Sequence, residues 1–294
     1  MSGAWSDLGD GVRVRRSRAW EMNSTLLARD GAAVLVDPGV LPSELADLAA
    51  ATAAAAPRAA DVTLVFTHPH WDHVLGRAAF PRAATLAHAD FAPALARAAA
   101  DVERKARAWI EGAGEAWPGR FAAFAPDRTV RGTTALRLGP FAAVAYELPG
   151  HCAAQIGLHF PEPGVFVAAD TLSEIEIPWL DGPPAVYRRA LEALAPVFAD
   201  APLRVLVPGH GPVAHGREAA RARLARDLDY LRALEARVAD AVGRGLAADA
   251  VGRELATMDY PGRDAAYPMN DVHAANVQYA HAAVAAAAAE PRRT

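Results

Sequence analysis

Residues 67–73 read THPHWDH, directly after the apolar run VTLVF at 62–66. Three of the chain's ten histidines and one aspartate fall in that stretch. Neutral imidazole and carboxylate are ligands for zinc and similar divalent ions, and a cation between crowded imidazoles removes the repulsion they would feel if each carried a proton. Further chemistry-bearing residues follow at intervals. His151 comes after YELPG, Asp170 ends GVFVAAD, and His210 comes after RVLVPG. Together with His68, His70, Asp72 and His73 they make seven potential ligands. That is too many for one tetrahedral ion, but it suits two ions sharing the carboxylate of Asp170. A shared carboxylate and a bridging hydroxide would offset the repulsion between two cations. Metal-bound water has its pKa lowered from about 15.7 towards roughly 7, so a hydroxide nucleophile would exist at neutral pH.

Each of these residues stands where a strand-like run ends, and loops there are held by a rigid scaffold. His68 and His70, two apart, share one side of an extended segment. The runs at 11–17, 23–29 and 32–39 read as strands, with Asp30-Gly31 as a hairpin turn. Residues 43–56 read as a helix with Ser43 at its N-cap. Residues 61–68 form a buried strand by their continuous β-branched apolar run, and a helix is expected to begin near Asp72 or His73. Residues 89–112 look helical and 113–127 a loop or lid. Four strands are expected over 133–139, 141–150, 155–161 and 164–170, then a helix over 184–199 and a strand over 203–210. The rest reads as helices at 216–242, 246–257 and 270–289. Two similar successions of strands and helices suggest two sheets packed face to face with helices outside. No composition shift marks a linker. One domain over 1–294 is therefore expected, with a core at about 11–215 and a helical region at about 216–294.

Composition narrows the function. The formal net charge is −4 and 52% of residues are apolar. Arginines cluster at 13–18 and 217–226, which fits an outward strand face and a solvated helix face. No basic excess suggests nucleic acid as a partner. One cysteine, Cys152, precludes an internal disulfide framework. No apolar leader opens the chain, and the alanine-rich runs at 48–56 and 282–289 are too short to span a bilayer. A cytoplasmic protein acting on a small molecule, without membrane contact, is the expectation.

THPHWDH matches the T-H-x-H-x-D-H signature of the metallo-β-lactamase superfamily. PGHCAAQIGL resembles its second motif, FVAADTL its G-D-T-L segment, PGHGP its fourth motif, and VLVDPG its early strand ending in D-x-G. The motifs stand in family order over about 34–212. The resemblance implies an αββα sandwich of two mixed β-sheets flanked by helices, here with a helical C-terminal extension, and a dinuclear site. His68, His70 and His151 would bind one ion, and Asp72, His73 and His210 the other, with Asp170 bridging. Asp37, Thr67 and Thr171 match positions that support the ligands through hydrogen bonds, which orients them and tunes their basicity. The chain departs from the pattern at Cys152-Ala153-Ala154-Gln155, which replaces a small polar run, and at Ala169, which replaces a glycine.

The implied activity is metal-dependent hydrolysis. A metal-bridging hydroxide, oriented by Asp72, would cleave a small ester, thioester or lactone. Asp170 sets the chain apart from the antibiotic-destroying lactamases, whose comparable position is cysteine or serine, and aligns it with the glyoxalase II and lactonase branch. Iron-dependent sulfur dioxygenase-type oxidoreduction and phosphodiesterase activity are the alternatives. Two zinc ions are expected, with iron or manganese as substitutes. Neighbours on a strand end point oppositely, so Cys152 is expected to pack rather than ligate. His88, His159, His215 and His281 read as surface or packing residues. His273, Trp179, Tyr187 and Tyr267 are candidates to line a pocket.

Overall fold

In the computed structural model, which describes residues 5–259 and 269–289, strand follows strand by simple antiparallel pairing at the start of the chain. β1 (Trp5–Gly9), β2 (Val12–Arg16), β3 (Asn23–Arg29) and β4 (Ala32–Val36) pair in order. Asp30 and Gly31 turn the β3–β4 hairpin with φ of 52° and 75°, as a two-residue hairpin turn demands. β5 (Val62–Val65), β6 (Ala84–His88) and β7 (Arg128–Val130) then add in parallel, completing a seven-stranded mixed sheet. The second sheet has six strands in the order β13 (Ala214–His215), β12 (Val205–Val207), β11 (Val165–Val167), β10 (Ile156–Phe160), β9 (Phe141–Glu147) and β8 (Thr134–Leu138). It is antiparallel except between β11 and β12.

The chain divides into two compact units. One combines the chain up to Glu147 with Ala154–Ala169 and Pro202–Gly216, and holds both sheets. Strand alternation sorts its apolar residues into two cores. Leu27, Val34, Val36 and Val65 of the first sheet meet Phe141, Ile156, Leu158, Val165 and Val207 of the second, filling the space between the sheets. Their neighbours Leu26, Leu35, Leu64 and Phe66 face the other way. They pack on Leu48 of α1 (Pro42–Ala55), Val74 of α2 (Trp71–Val74) and Leu95, Val102 and Ile110 of α3 (Phe91–Gly112). Each such fully buried side chain contributes about 1.5–3 kcal/mol.

The other unit combines Leu148–Ala153, Asp170–Ala201 and the chain from Arg217 onward. It carries α4 (Pro184–Asp200), α6 (Ala248–Leu255), α7 (Asn270–Ala289) and nearly all of α5 (Gly216–Gly243). Two mixed sheets, seven α-helices among the described residues and a helical C-terminal extension make the expected αββα class the observed one.

Some local expectations are corrected. α1 starts at Pro42, with Leu41 in the N-cap position and no side-chain cap. Proline's fixed φ suits the first helical position, so Ser43 lies inside the first turn and its N and Oγ bond Glu115 at 2.8 and 2.6 Å. β1, β6, β7 and β13 are additional strands. β6 reads ATLAH, a stretch with little β-branching, and it becomes a strand by pairing with β5 rather than by propensity. No described helix is long and apolar enough to cross a membrane.

Candidate metal centre

Beyond β5 the chain bends at Thr67, His68 and His70, and His70, with ψ of 158°, precedes the single turn of α2. Thr67 anchors this segment. Its N donates to Asp37 Oδ1 at 2.7 Å and its hydroxyl to Asp37 Oδ2 at 2.6 Å, while its carbonyl accepts from Ile156 N at 2.9 Å. Asp37 sits in the left-handed region, φ 47°, which aspartate tolerates better than most residues. The next residue, Pro38, lies so near Gly76 that a Cβ there would be 2.4 Å from the proline ring. Only glycine lets the turn that follows α2 approach the loop after β4 this closely.

The candidate ligand residues of this unit are thereby gathered. The ring centroids of His68 and His70 are 4.6 Å apart, those of His68 and His73 4.1 Å, and those of His73 and His210 5.5 Å. Asp72, His73 and His210 are buried, and each offers a ligand atom within 4.8 Å of the others. Asp72 Oδ2 stands 3.3 Å from His210 Nε2 and 3.7 Å from His73 Nε2. His210 is held from the N-terminal side of the fold. The residue forms an isolated bridge with Met22, and Asn23 Nδ2 donates to the carbonyls of Pro208 and Gly211 at 3.0 and 2.8 Å. Buried Glu44 accepts from Ser17 Oγ and Arg18 N at 2.6 and 3.0 Å, shaping the loop that presents Trp20.

Hydrogen bonds at Nδ1 decide which ring nitrogen faces Asp72. The Trp20 carbonyl lies 2.8 Å from His210 Nδ1, and Asp37 Oδ2 lies 2.9 Å from His73 Nδ1. Carbonyl and carboxylate oxygens only accept, so both Nδ1 atoms carry hydrogen. The Thr67 hydroxyl spends its hydrogen on Asp37 and therefore accepts from His68 Nδ1 at 3.0 Å. Each Nε2 is left with a lone pair. A lone pair on His210 Nε2 facing a carboxylate oxygen at 3.3 Å repels unless a proton or a metal cation lies between them. One divalent cation can be met by Asp72, His73 and His210 together, whose ligand atoms lie within 4.8 Å of one another, where a proton would join only one pair. The donor set thus fits a divalent cation, with its outer hydrogen bonds already in place.

The second unit holds the other two expected ligands. His151 Nε2 lies 3.2 Å from Asp170 Oδ2, and His151 Nδ1 donates to the Trp179 carbonyl at 3.2 Å. The Tyr187 hydroxyl donates to the Asp170 carbonyl at 2.9 Å, and Asp227 Oδ2 accepts from Leu172 N at 3.1 Å. Burial, then the nearby Asp227 carboxylate, raises the Tyr187 hydroxyl well above its usual range; it stays a neutral donor. Burial also lifts Asp227 to about 6, against the opposing pull of Arg226. Gly150, at φ 138°, lies where a Cβ would be 2.4 Å from the Tyr187 side chain. Ala169, where the motif has glycine, takes φ 52°, and Leu172 takes φ 58°.

Thr67 and Asp37 bond the candidate ligands His68 and His73 directly, and Thr171 is buried next to Asp170 in sequence. Cys152 is buried and, among the described residues, belongs to no group of converging ligand atoms. Tyr187 is buried, its hydroxyl bonded to the Asp170 carbonyl. His273 is buried among helices. Trp179 is exposed at 44%, its ring edge-on to His151 at 6.3 Å; Tyr267 lies outside the described residues. His88 and His159 are packing residues, bonded to Glu147 and to the Pro202 carbonyl. The carbonyls of Trp20 and Trp179 had no sequence signal, since any residue has a carbonyl.

A family profile described as the metallo-β-lactamase superfamily matches residues 19–229. The chain belongs to that superfamily. Its members are mostly metal-dependent hydrolases, and the His/Asp clusters that could hold a metal accord with that. Among solved structures, it is similar to the stereoselective inverting sec-alkylsulfatase Pisa1 from Pseudomonas sp., with TM-score 0.72 and 15% identity, over 94% of this chain and 50% of that one. This chain therefore spans half the length of the alkylsulfatase. It is also similar to a metallo-β-lactamase from Pontibacter korlensis (TM-score 0.56, 18% identity, 77% of this chain and 99% of that one). The metallo-β-lactamase FIM-1 from Pseudomonas aeruginosa, in its mono-zinc form, gives TM-score 0.55 and 19% identity over 79% and 97% of the two chains. At these identities the likeness is one of fold. No curated protein matches the chain.

Proposed function

We propose that this superfamily member is a dinuclear metal-dependent hydrolase that cleaves a small ester, thioester or lactone. As the motif resemblance assigns them, His68, His70 and His151 would hold one divalent ion, Asp72, His73 and His210 the other, and Asp170 both, with zinc as the ion. Such ions, when bound, polarise a carbonyl oxygen and lower the pKa of water to roughly 7. The chain's own part is orientation. Asp37, Thr67 and the Trp20 carbonyl keep each Nδ1 protonated, so that His68, His73 and His210 offer Nε2 as a lone-pair donor. Asp72 is the residue we assign to orienting the attacking water.

The observation that carries this reading is the pairing of acceptor with acceptor, His210 Nε2 against Asp72 Oδ2 at 3.3 Å. For the substrate, a cleft of about 480 Å³ lined by Arg18, Ala19, Ala108, Trp109, Gly112 and Ala113 supports a small molecule. Trp109 on its wall stacks at 5.9 Å on Trp71, which stands between His70 and Asp72 in sequence.

The test is metal analysis of the purified protein, then a panel of p-nitrophenyl esters, thioesters, lactones, bis-p-nitrophenyl phosphate and an alkyl sulfate, this last because the sec-alkylsulfatase shares the fold. Zinc near two per chain with ester, thioester or lactone turnover is expected. His70→Ala should lose turnover and metal while keeping its helical and strand content. Undiminished turnover in that variant, or full activity in a metal-free sample, would refute the assignment. Iron with oxygen uptake would establish the dioxygenase alternative instead.

A further inference from the structure

The C-terminal helix α7 belongs to no motif of the family signature, yet one of its residues is tied to the backbone that orients His151. Asn276 is fully buried. Its Nδ2 donates to the Pro178 carbonyl at 2.6 Å and to the Tyr230 hydroxyl at 2.9 Å, and its Oδ1 accepts from Leu180 N at 3.0 Å. Both amide hydrogens are used, so the side chain has one orientation. The peptide groups it grips flank Trp179, whose carbonyl accepts from His151 Nδ1. A second bond sets the same loop, from Asp181 N to the Gly150 carbonyl at 2.7 Å, one residue before the histidine.

The clamp is itself braced. His273, one helical turn before Asn276, has Nε2 at 3.0 Å from the Leu255 carbonyl, so Nε2 carries the hydrogen and Nδ1 accepts from the Tyr230 hydroxyl at 3.0 Å. Tyr230 in turn accepts from Asn276. The direction of every bond in the chain from Leu255 to Pro178 is thereby determined, and α5, α6 and α7 are joined to the 178–180 backbone.

We propose that Asn276 is a positioning residue of the metal centre: it fixes the 178–180 backbone so that the Trp179 carbonyl accepts from His151 Nδ1 and Nε2 is the ring nitrogen that offers a lone pair to a metal. The inference rests on the metal reading above. Orienting partners of metal-bound histidines typically change metal affinity about 10–100-fold when removed, and Asn276 acts on such a partner from one step further out.

The test measures Zn²⁺ dissociation constants by competition with a chromophoric chelator, beside the thermal midpoint of the metal-free protein. Three variants are compared, Asn276→Ala, Asn276→Asp and Tyr230→Phe. Aspartate keeps the acceptor for Leu180 N but sets an oxygen against the Pro178 carbonyl, so it opens the clamp with little change of volume and reads the effect should the alanine variant not fold. Tyr230→Phe removes the brace and leaves both bonds to the 178–180 backbone. Both Asn276 variants should bind one Zn²⁺ about tenfold more weakly. Tyr230→Phe should lower the thermal midpoint yet keep both dissociation constants within about twofold of the original protein, well short of that loss. Unchanged Zn²⁺ binding in Asn276→Asp would overturn the proposal. So would an equal loss in Tyr230→Phe, since affinity would then merely follow stability. An original protein that binds no Zn²⁺ would instead remove the metal reading, and this inference with it.

Discussion

Replacing Asp37 with asparagine isolates the role of one buried carboxylate. Asparagine is the apt substitute because it also tolerates the left-handed backbone that residue 37 occupies, φ 47°, so backbone strain does not confound the result. The carboxylate accepts three bonds, from Thr67 N, Thr67 Oγ1 and His73 Nδ1. In Asp37→Asn, Oδ1 can keep Thr67 N. The new NH₂ then faces two groups that were donors. Thr67 can rotate its hydroxyl, but His73 can respond only by moving its hydrogen to Nε2, which removes the lone pair that faces Asp72. Hydrogen bonds to charged groups are worth about 1.5–3 kcal/mol each. Losing two while relieving the burial of a charge should cost the metal-free protein about 2 kcal/mol. The tautomer change adds a separate penalty on metal binding, about 10–100-fold in affinity. Urea unfolding of the metal-free variant and chelator-competition titration with Zn²⁺ read the two effects independently. If the variant binds Zn²⁺ as tightly as the original protein, Asp37 does not set the His73 tautomer and the argument from Nδ1 partners fails.

Three further outcomes are expected. Ala169→Gly should stabilise the protein by about 1 kcal/mol in urea unfolding, because Ala169 holds φ 52° and a left-handed backbone costs a non-glycine residue about 1–2 kcal/mol, partly offset by glycine's greater freedom when unfolded; a lower midpoint would contradict this. Asp227 has its folded pKa raised by burial to about 6, from 3.8. Its stabilising contribution is therefore full below about pH 4 and lost as pH rises through about 6, with a slope of up to about 1.4 kcal/mol per unit; Asp227→Asn should lack that decline, and parallel stability profiles from pH 4 to 7 would refute it. Cys152→Ala should retain at least half of the bound metal by elemental analysis, since Cys152 joins no group of converging ligand atoms; large metal loss would make it a ligand.

The amino-acid sequence by itself settles the residue types and the broad order of elements. Alternation in VRVRR and the continuous apolar VTLV are local properties, and they appear as β2 and β5. The candidate ligands at 68–73, 151, 170 and 210 are likewise visible because imidazole and carboxylate, both good metal donors, recur at successive strand ends. What only the tertiary structure decides is how those side chains are aimed. Nδ1 of His210 and of His151 is fixed by the carbonyls of Trp20 and Trp179, and a carbonyl leaves no trace in residue identity. The left-handed turns at Asp37, Ala169 and Leu172 arise where packing overrules intrinsic preference. The same holds for β6, which forms as a strand between β5 and β7 despite weak propensity. Asn276 reaches the Trp179 peptide across 96 to 98 positions of sequence, a pairing of buried donors and acceptors that only the folded chain specifies.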